Sequence, residues 1–235
     1  MVFTFSGEYG SGAKMIAEKL AEKTGYKYCD DQIITEAMAA AGADTKGCSF
    51  KFYDESMGES SVKEIAKNSA IQSRFFKMVA DKPIEQEEFI KSNDPKIKAA
   101  LLKLDVKSDI LPLDKRMAAS MDVAQNAIAD QGNCILNGRC ANYYLRGRDN
   151  VVSIFFIASD KDKAEFIQNY FNCTEAEAVK RIKSTNKRRA EFYNYFTSEK
   201  WDDTANYDMK INVSTLGIEG TAELLAAMAQ IKDKK

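Results

Sequence analysis

The chain has 235 residues, 45% of them hydrophobic, which is enough to bury the core of one α/β domain with insertions. Its 34 basic and 35 acidic side chains leave a net charge of −1, which excludes a uniformly basic nucleic-acid surface and makes any anion site local. Histidine is missing, so imidazole chemistry of the Ser-His-Asp and Cys-His kinds is excluded.

The first predicted unit is strand, turn, helix. "VFTFS" is β-prone, "GEYGSG" is turn-like, and Ile16 and Leu20 begin an apolar stripe that stops at Gly25. "YKYC" (Tyr26 to Cys29) predicts a short second strand, followed by a helix from about Asp30 to Ala41. Residues 45–112 carry dense charge and helical patterning near 62–80 and 84–104 without a convincing strand, so they are expected to form a helical insert. An amphipathic helix with Met117, Met121, Ala124 and Ile128 then leads to the strand "NCILN" and the turn "GRC".

"VVSIFFIA" (Val151 to Ala158) predicts a strand buried on both faces, and it is far shorter than the roughly 20 residues that cross a bilayer. Helices are expected over 160–171 and 174–189, followed by a polar aromatic segment, "YNYFTSEKWDDTAN". "YDMKINVS" predicts the last strand and 217–231 the closing helix. "MVFTF" lacks the features of a secretory signal, and Cys29, Cys48, Cys134, Cys140 and Cys173 show neither a disulfide framework nor zinc spacing. A cytoplasmic protein with no membrane span is the expectation. Strands alternating with helices imply a parallel sheet that binds ligands at the carboxyl ends of its strands.

Three anion-suited elements fall at that edge. In the P-loop pattern G-x-x-x-x-G-K-[ST], backbone N–H groups surround phosphate oxygens. Gly7 and Gly12 have this spacing, but Ala13 and Lys14 follow them, so the lysine is displaced by one place and the hydroxyl is missing. A tight turn with no ligand is the alternative reading. Arg139, directly after "NCILN", offers a planar fork for phosphate or pairs with a surface carboxylate. The run "KRIKSTNKRRAEFYNYF" supplies Lys180, Arg181, Lys183, Lys187, Arg188 and Arg189, either as a solvated helix face or, with Phe192, Tyr193 and Tyr195, as a single-strand nucleic-acid surface. A phosphoryl-transfer site would use all three elements.

The segments "EYGSGAKMIAEKLAEKTGYKYCDDQII", "NCILNGRCANYYL" and "STNKRRAEFYNYFTSEKWDDTANYDMKINVSTLGIEGTAELL" together resemble the cytidylate kinase-like proteins among the nucleoside monophosphate kinases. The resemblance implies one three-layer α/β P-loop kinase domain with a five-stranded parallel sheet. Its core would be residues 1–44 and 113–235, its helical NMP-binding insert 45–112 and its basic lid 186–206. It also implies transfer of the ATP γ-phosphoryl, with Mg2+, to CMP, dCMP or a similar nucleotide; the near-neutral charge and the short apolar runs point to no nucleic-acid or membrane partner.

By position, Gly7, Glu8, Tyr9, Gly10, Ser11, Gly12, Ala13 and Lys14 would hold the donor phosphates, and Asp30, Arg74 and Arg139 the acceptor. Lys187, Arg188 and Arg189 would be lid cations, with Lys14, Arg188 and Arg189 carrying the catalysis. The backbone of Thr215 to Gly217 would border the adenine. Asn137 and Cys140 stand where the better-known cytidylate kinases carry aspartate. That leaves Mg2+ with no obvious protein ligand beyond Ser11 or Asp30, and it keeps open a non-catalytic nucleotide-binding protein on the same fold.

Overall fold

The computed structural model describes residues 1–29 and 113–232. The helices expected over 30–41, 62–80 and 84–104, together with Asp30 and Arg74, lie outside the described residues. Five strands, β1 (Val2–Gly7), β2 (Lys27–Cys29), β3 (Cys134–Asn137), β4 (Val151–Ile157) and β5 (Met209–Asn212), form one sheet in the order β2-β3-β1-β4-β5. Every pairing is parallel. Phe5 lies opposite Asn137 and Gly7 opposite Phe156, so the carboxyl ends of β3, β1 and β4 finish at a common edge.

The helices in the described residues are α1 (Ala13–Thr24), α2 (Leu113–Asp130), α3 (Ala141–Tyr144), α4 (Asp160–Phe171), α5 (Glu175–Thr197) and α6 (Val213–Lys232). Side chains alternate across a strand, and the sequence uses both faces. Phe3, Phe5, Ile154 and Phe156 meet Ile16 and Leu20 of α1 and Leu225 of α6 in the main core. Each such side chain, buried completely, contributes about 1.5–3 kcal/mol. On the opposite face Phe155 packs with Cys140, Tyr193 and Trp201, and the buried Thr4 hydroxyl donates to Ser153 Oγ at 2.9 Å. Glu219 of α6 joins the two helices of the main core, lying 2.6 Å from Lys19 and 2.7 Å from Lys23.

Two sequence expectations shift. The helix expected to end near residue 189 continues to Thr197, taking in Tyr193 to Thr197 at the start of the polar aromatic segment. It starts with a capping box in which Thr174 and Glu177 satisfy each other's backbone N–H groups. It continues because Ala178, Ile182, Tyr193 and Thr197 recur on one buried face, and because Phe192 and Phe196, one turn apart, pack at 4.7 Å. It ends where Ser198 turns left-handed and donates its N–H to Asn194 O. Likewise the last strand stops at Asn212, whose side-chain oxygen accepts from the Ser214 N–H, and the final helix opens at Val213 with a break at Gly217.

Candidate functional site

The glycine turn links β1 to α1. Gly7 must lack a side chain, because a Cβ there would sit 2.6 Å from the carbonyl oxygen of Phe156 on the neighbouring strand. Gly12 caps α1 at φ 80, ψ 13 without a side-chain hydrogen bond. The first helical backbone bond is Ile16 N–H to Gly12 O. The N–H groups of Ala13, Lys14 and Met15 therefore point out of the helix end with no partner among the described residues, at the positive pole of the helix dipole. Ser11 lines the turn, its hydroxyl buried and likewise without a partner among the described residues. Together they make an anion cradle of the kind that phosphate occupies at helix N-termini. Lys14 sits in this first turn with its side chain exposed.

Next to it, the turn after β3 presents Arg139. Gly138, Arg139 and Cys140 are all left-handed, at φ 84, 55 and 58, and Gly138 N–H donates to Phe5 O, extending the β1–β3 pairing by one bond. Arg139 is 6% exposed. The turn is fixed from behind: Asn142 Nδ2 donates to the Tyr193 hydroxyl at 2.8 Å, and Arg146 forms a two-pronged bond with Glu199 at 2.8 Å on each arm. Burial pushes the Tyr193 phenol and the Cys140 thiol up to about 12 each, so both stay protonated at neutral pH. The Arg146 hydrogen bond holds the Glu199 carboxyl below its ordinary value.

The lid cations expected from sequence take different positions. Arg189 Nη1 donates to Gly7 O at 2.7 Å, and its guanidinium lies 5.4 Å from the centre of the Tyr9 ring. Arg188 donates instead to Thr185 Oγ1 of its own helix, and Lys187 lies 3.8 Å from Glu191 on an exposed face. Ile218, directly after Thr215 to Gly217, borders the loop: its Cγ1 would lie 3.0 Å from a Cβ on Gly12. The region 186–206 assigned to the lid thus begins within α5 and ends in the short 3-10 turn Thr204–Asn206.

Sequence reasoning missed two contacts. Lys163 of α4, almost fully buried, lies 2.7 Å from Glu8 and 2.8 Å from Asp160. Desolvation pulls its pKa down, but the hydrogen bonds to Asp160 and Glu8 outweigh it and leave the amine above its ordinary value. Asn186 Oδ1 accepts the Tyr9 N–H at 2.7 Å. A lysine in a charged helix and an asparagine in a basic run carry no signal of such roles, because both depend on α4 and α5 folding back over the loop.

Among the described residues no helix is long and apolar enough to cross a membrane, and no three His, Cys, Asp or Glu side chains gather to hold a metal. Five parallel strands in this order, with a glycine loop after β1 and helices on both faces, form a three-layer P-loop kinase fold. A crystal structure of an uncharacterized protein from Eubacterium ventriosum shares the fold, with a TM-score of 0.58 at 16% identity over 98% of each chain. A cytidylate kinase of Methanocaldococcus jannaschii is 31% identical over 119 residues, which span 48% of this chain and 65% of that relative. The model of the cytidylate kinase-like family matches residues 2–215, nearly the whole length, and the chain belongs to that family.

Proposed function

We propose that the protein is an ATP-dependent nucleoside monophosphate kinase that transfers the γ-phosphoryl to a pyrimidine nucleotide, CMP or dCMP foremost. The observation that carries this reading is the open set of N–H donors at the start of α1, with Arg139 at the adjoining strand end and Arg189 on the loop itself. Phosphoryl transfer needs positioning and charge neutralisation more than covalent chemistry, so a chain without histidine loses nothing.

In this reading the loop from Gly7 to Lys14 orients the donor phosphates, and the Lys14 ammonium sits near them. Arg139 binds the acceptor phosphate, with Asp30 and Arg74 assigned to the acceptor by family resemblance. Arg188 and Arg189 supply positive charge against the negative charge that develops on the phosphate and leaving-group oxygens in the transition state. The Ser11 hydroxyl and the N–H cradle suit phosphate oxygens, whereas the described carboxylates Glu8 and Asp160 are both taken by Lys163. Mg2+ accordingly fits as an ion carried by the phosphates and water, where it would neutralise charge on the phosphoryl group.

The test is ADP formation from ATP with CMP, dCMP, UMP, AMP and GMP offered separately. Turnover confined to one or two pyrimidine nucleotides is expected, and ATP-only background with all five would refute the reading. A second reading, a non-catalytic nucleotide-binding protein, is favoured by Ala13 at the usual lysine position. Tight ATP binding without transfer to any acceptor would establish it.

A further inference from the structure

The glycine loop has two sides. From Ala13 to Met15 its N–H groups have no partner among the described residues, while Gly7, Glu8 and Tyr9 are each bonded to the helices that follow β4. Arg189 holds the Gly7 carbonyl and Lys163 the Glu8 carboxylate, while Asn186 takes the Tyr9 N–H. Ala178, Ile182, Asn186 and Arg189 recur every three or four residues, so they occupy one face of α5. The Tyr9 side chain, 4% exposed, packs into the same cluster as Ala178 and Ile182. One helix face therefore grips a single loop residue by its ring and its amide.

We infer that Asn186 is a positioning residue for the donor phosphates: its Oδ1 fixes the rim of the loop to α5, so the open N–H groups keep their common aim. The inference rests on the nucleotide reading above. It assigns the start of the region 186–206 a role before any lid closes, which is to carry the helix's position into the phosphate cradle. The bond needs only an acceptor on residue 186. An aspartate keeps that acceptor, and a leucine of similar size does not.

Two measurements on the full chain test this. The first is amide hydrogen exchange of Tyr9 without nucleotide. In Asn186→Leu its protection is expected to drop by about an order of magnitude while Phe3 and Phe5 of β1 keep theirs, and Asn186→Asp is expected to restore it. The second is kinetic. The ATP Kd and KM of Asn186→Leu should rise about tenfold with the acceptor KM unchanged, an effect of the size that follows loss of a buried donor's partner.

Unchanged Tyr9 protection in the leucine variant overturns the inference. So does lost protection with unaltered ATP affinity, since the rim would then not govern the cradle. If Asn186→Leu does not fold, Asn186→Ser, too short to reach the amide, takes its place under the same criteria. Failure of the unaltered chain to bind ATP refutes the nucleotide reading and the positioning role with it, while the exchange data show separately whether the tie exists.

Discussion

Gly12 and Gly25 cap the two ends of α1 in nearly the same left-handed conformation, φ 80, ψ 13 and φ 72, ψ 11. Alanine at either position suffers the same backbone strain, about 1–2 kcal/mol. A Cβ at Gly25 meets nothing within 4 Å, whereas at Gly12 it lies 3.0 Å from Ile218 Cγ1 and 3.1 Å from Ile218 Cδ1, side-chain atoms able to give by a few tenths of an ångström. Thermal unfolding should therefore fall by about 2–8 °C in both variants, at roughly 2–4 °C per kcal/mol for a chain of this size.

Nucleotide binding should separate them. Relaxing the Gly12 strain rotates the peptides that aim the first-turn N–H groups, and loss of one hydrogen bond to a charged phosphate costs about 1.5–3 kcal/mol, or roughly 10- to 150-fold in ATP Kd. Gly25→Ala, at the far end of the helix, should leave ATP affinity unchanged. Titration calorimetry with ATP on the two variants is the assay. Equal affinities, at matched losses of stability, would show that the start of α1 is not where the phosphates bind.

Replacing Arg188 by alanine should lower kcat more than it raises either KM, because a lid cation acts chiefly on charge that develops in the transition state, and among the described residues Arg188 is tied to Thr185 of its own helix; unchanged kcat would remove it from the mechanism. Arg189→Ala should also weaken ATP binding, since it removes the bond to Gly7 O, and steady-state kinetics on both variants would distinguish these patterns. Cys140, with its thiol pushed up to about 12 from an ordinary 9.0, should resist thiol reagents at pH 8 in the folded protein and react only on unfolding; peptide mapping after labelling checks this. The same shift stabilises the fold fully below pH 9 and is lost as pH rises toward 12, because the unfolded thiol ionises first. The exposed Glu219 carboxyl, held down to about 2 by hydrogen bonds from Lys19 and Lys23, has the opposite sign. Its stabilisation is present above about pH 4.5 and fades as pH falls toward 2, so Glu219→Gln should flatten the acid limb of a stability–pH curve, less so in high salt.

The elements most legible in the sequence were those whose pattern is local. Val151 to Ile157 is a run of β-branched and aromatic residues, and only a strand covered on both faces uses such a run. Gly7 and Gly12 stand at their spacing because strand-to-helix turns of this kind need close approach at one point and positive φ at another. Arg139 could be placed at the sheet edge because it directly follows a strand. What escaped notice was set by tertiary packing. Tyr193 and Tyr195 look alike in sequence, yet one is buried against Cys140 and Phe155 and the other is exposed, a difference that appears only once α5 lies against β4. Lys163 escaped for the same reason: Asp160 is one turn away on the same helix, but Glu8 lies on the distant glycine loop and reaches it only in the folded chain.

The sheet order also governs when the protein can fold. β1 is the central strand and is synthesised before the other four, yet its partners for Val2 are Cys134 and Val151. At about 5–20 residues per second, synthesis leaves "VFTFS" without a neighbour for roughly 7–30 s. Neither edge of that apolar strand can be closed early by a hairpin, because both neighbours run parallel to it and come from the later part of the chain. Nascent-chain length, and with it the pace of translation, therefore sets the earliest moment at which the glycine loop can exist, since the loop takes its shape only when β4 arrives beside Gly7.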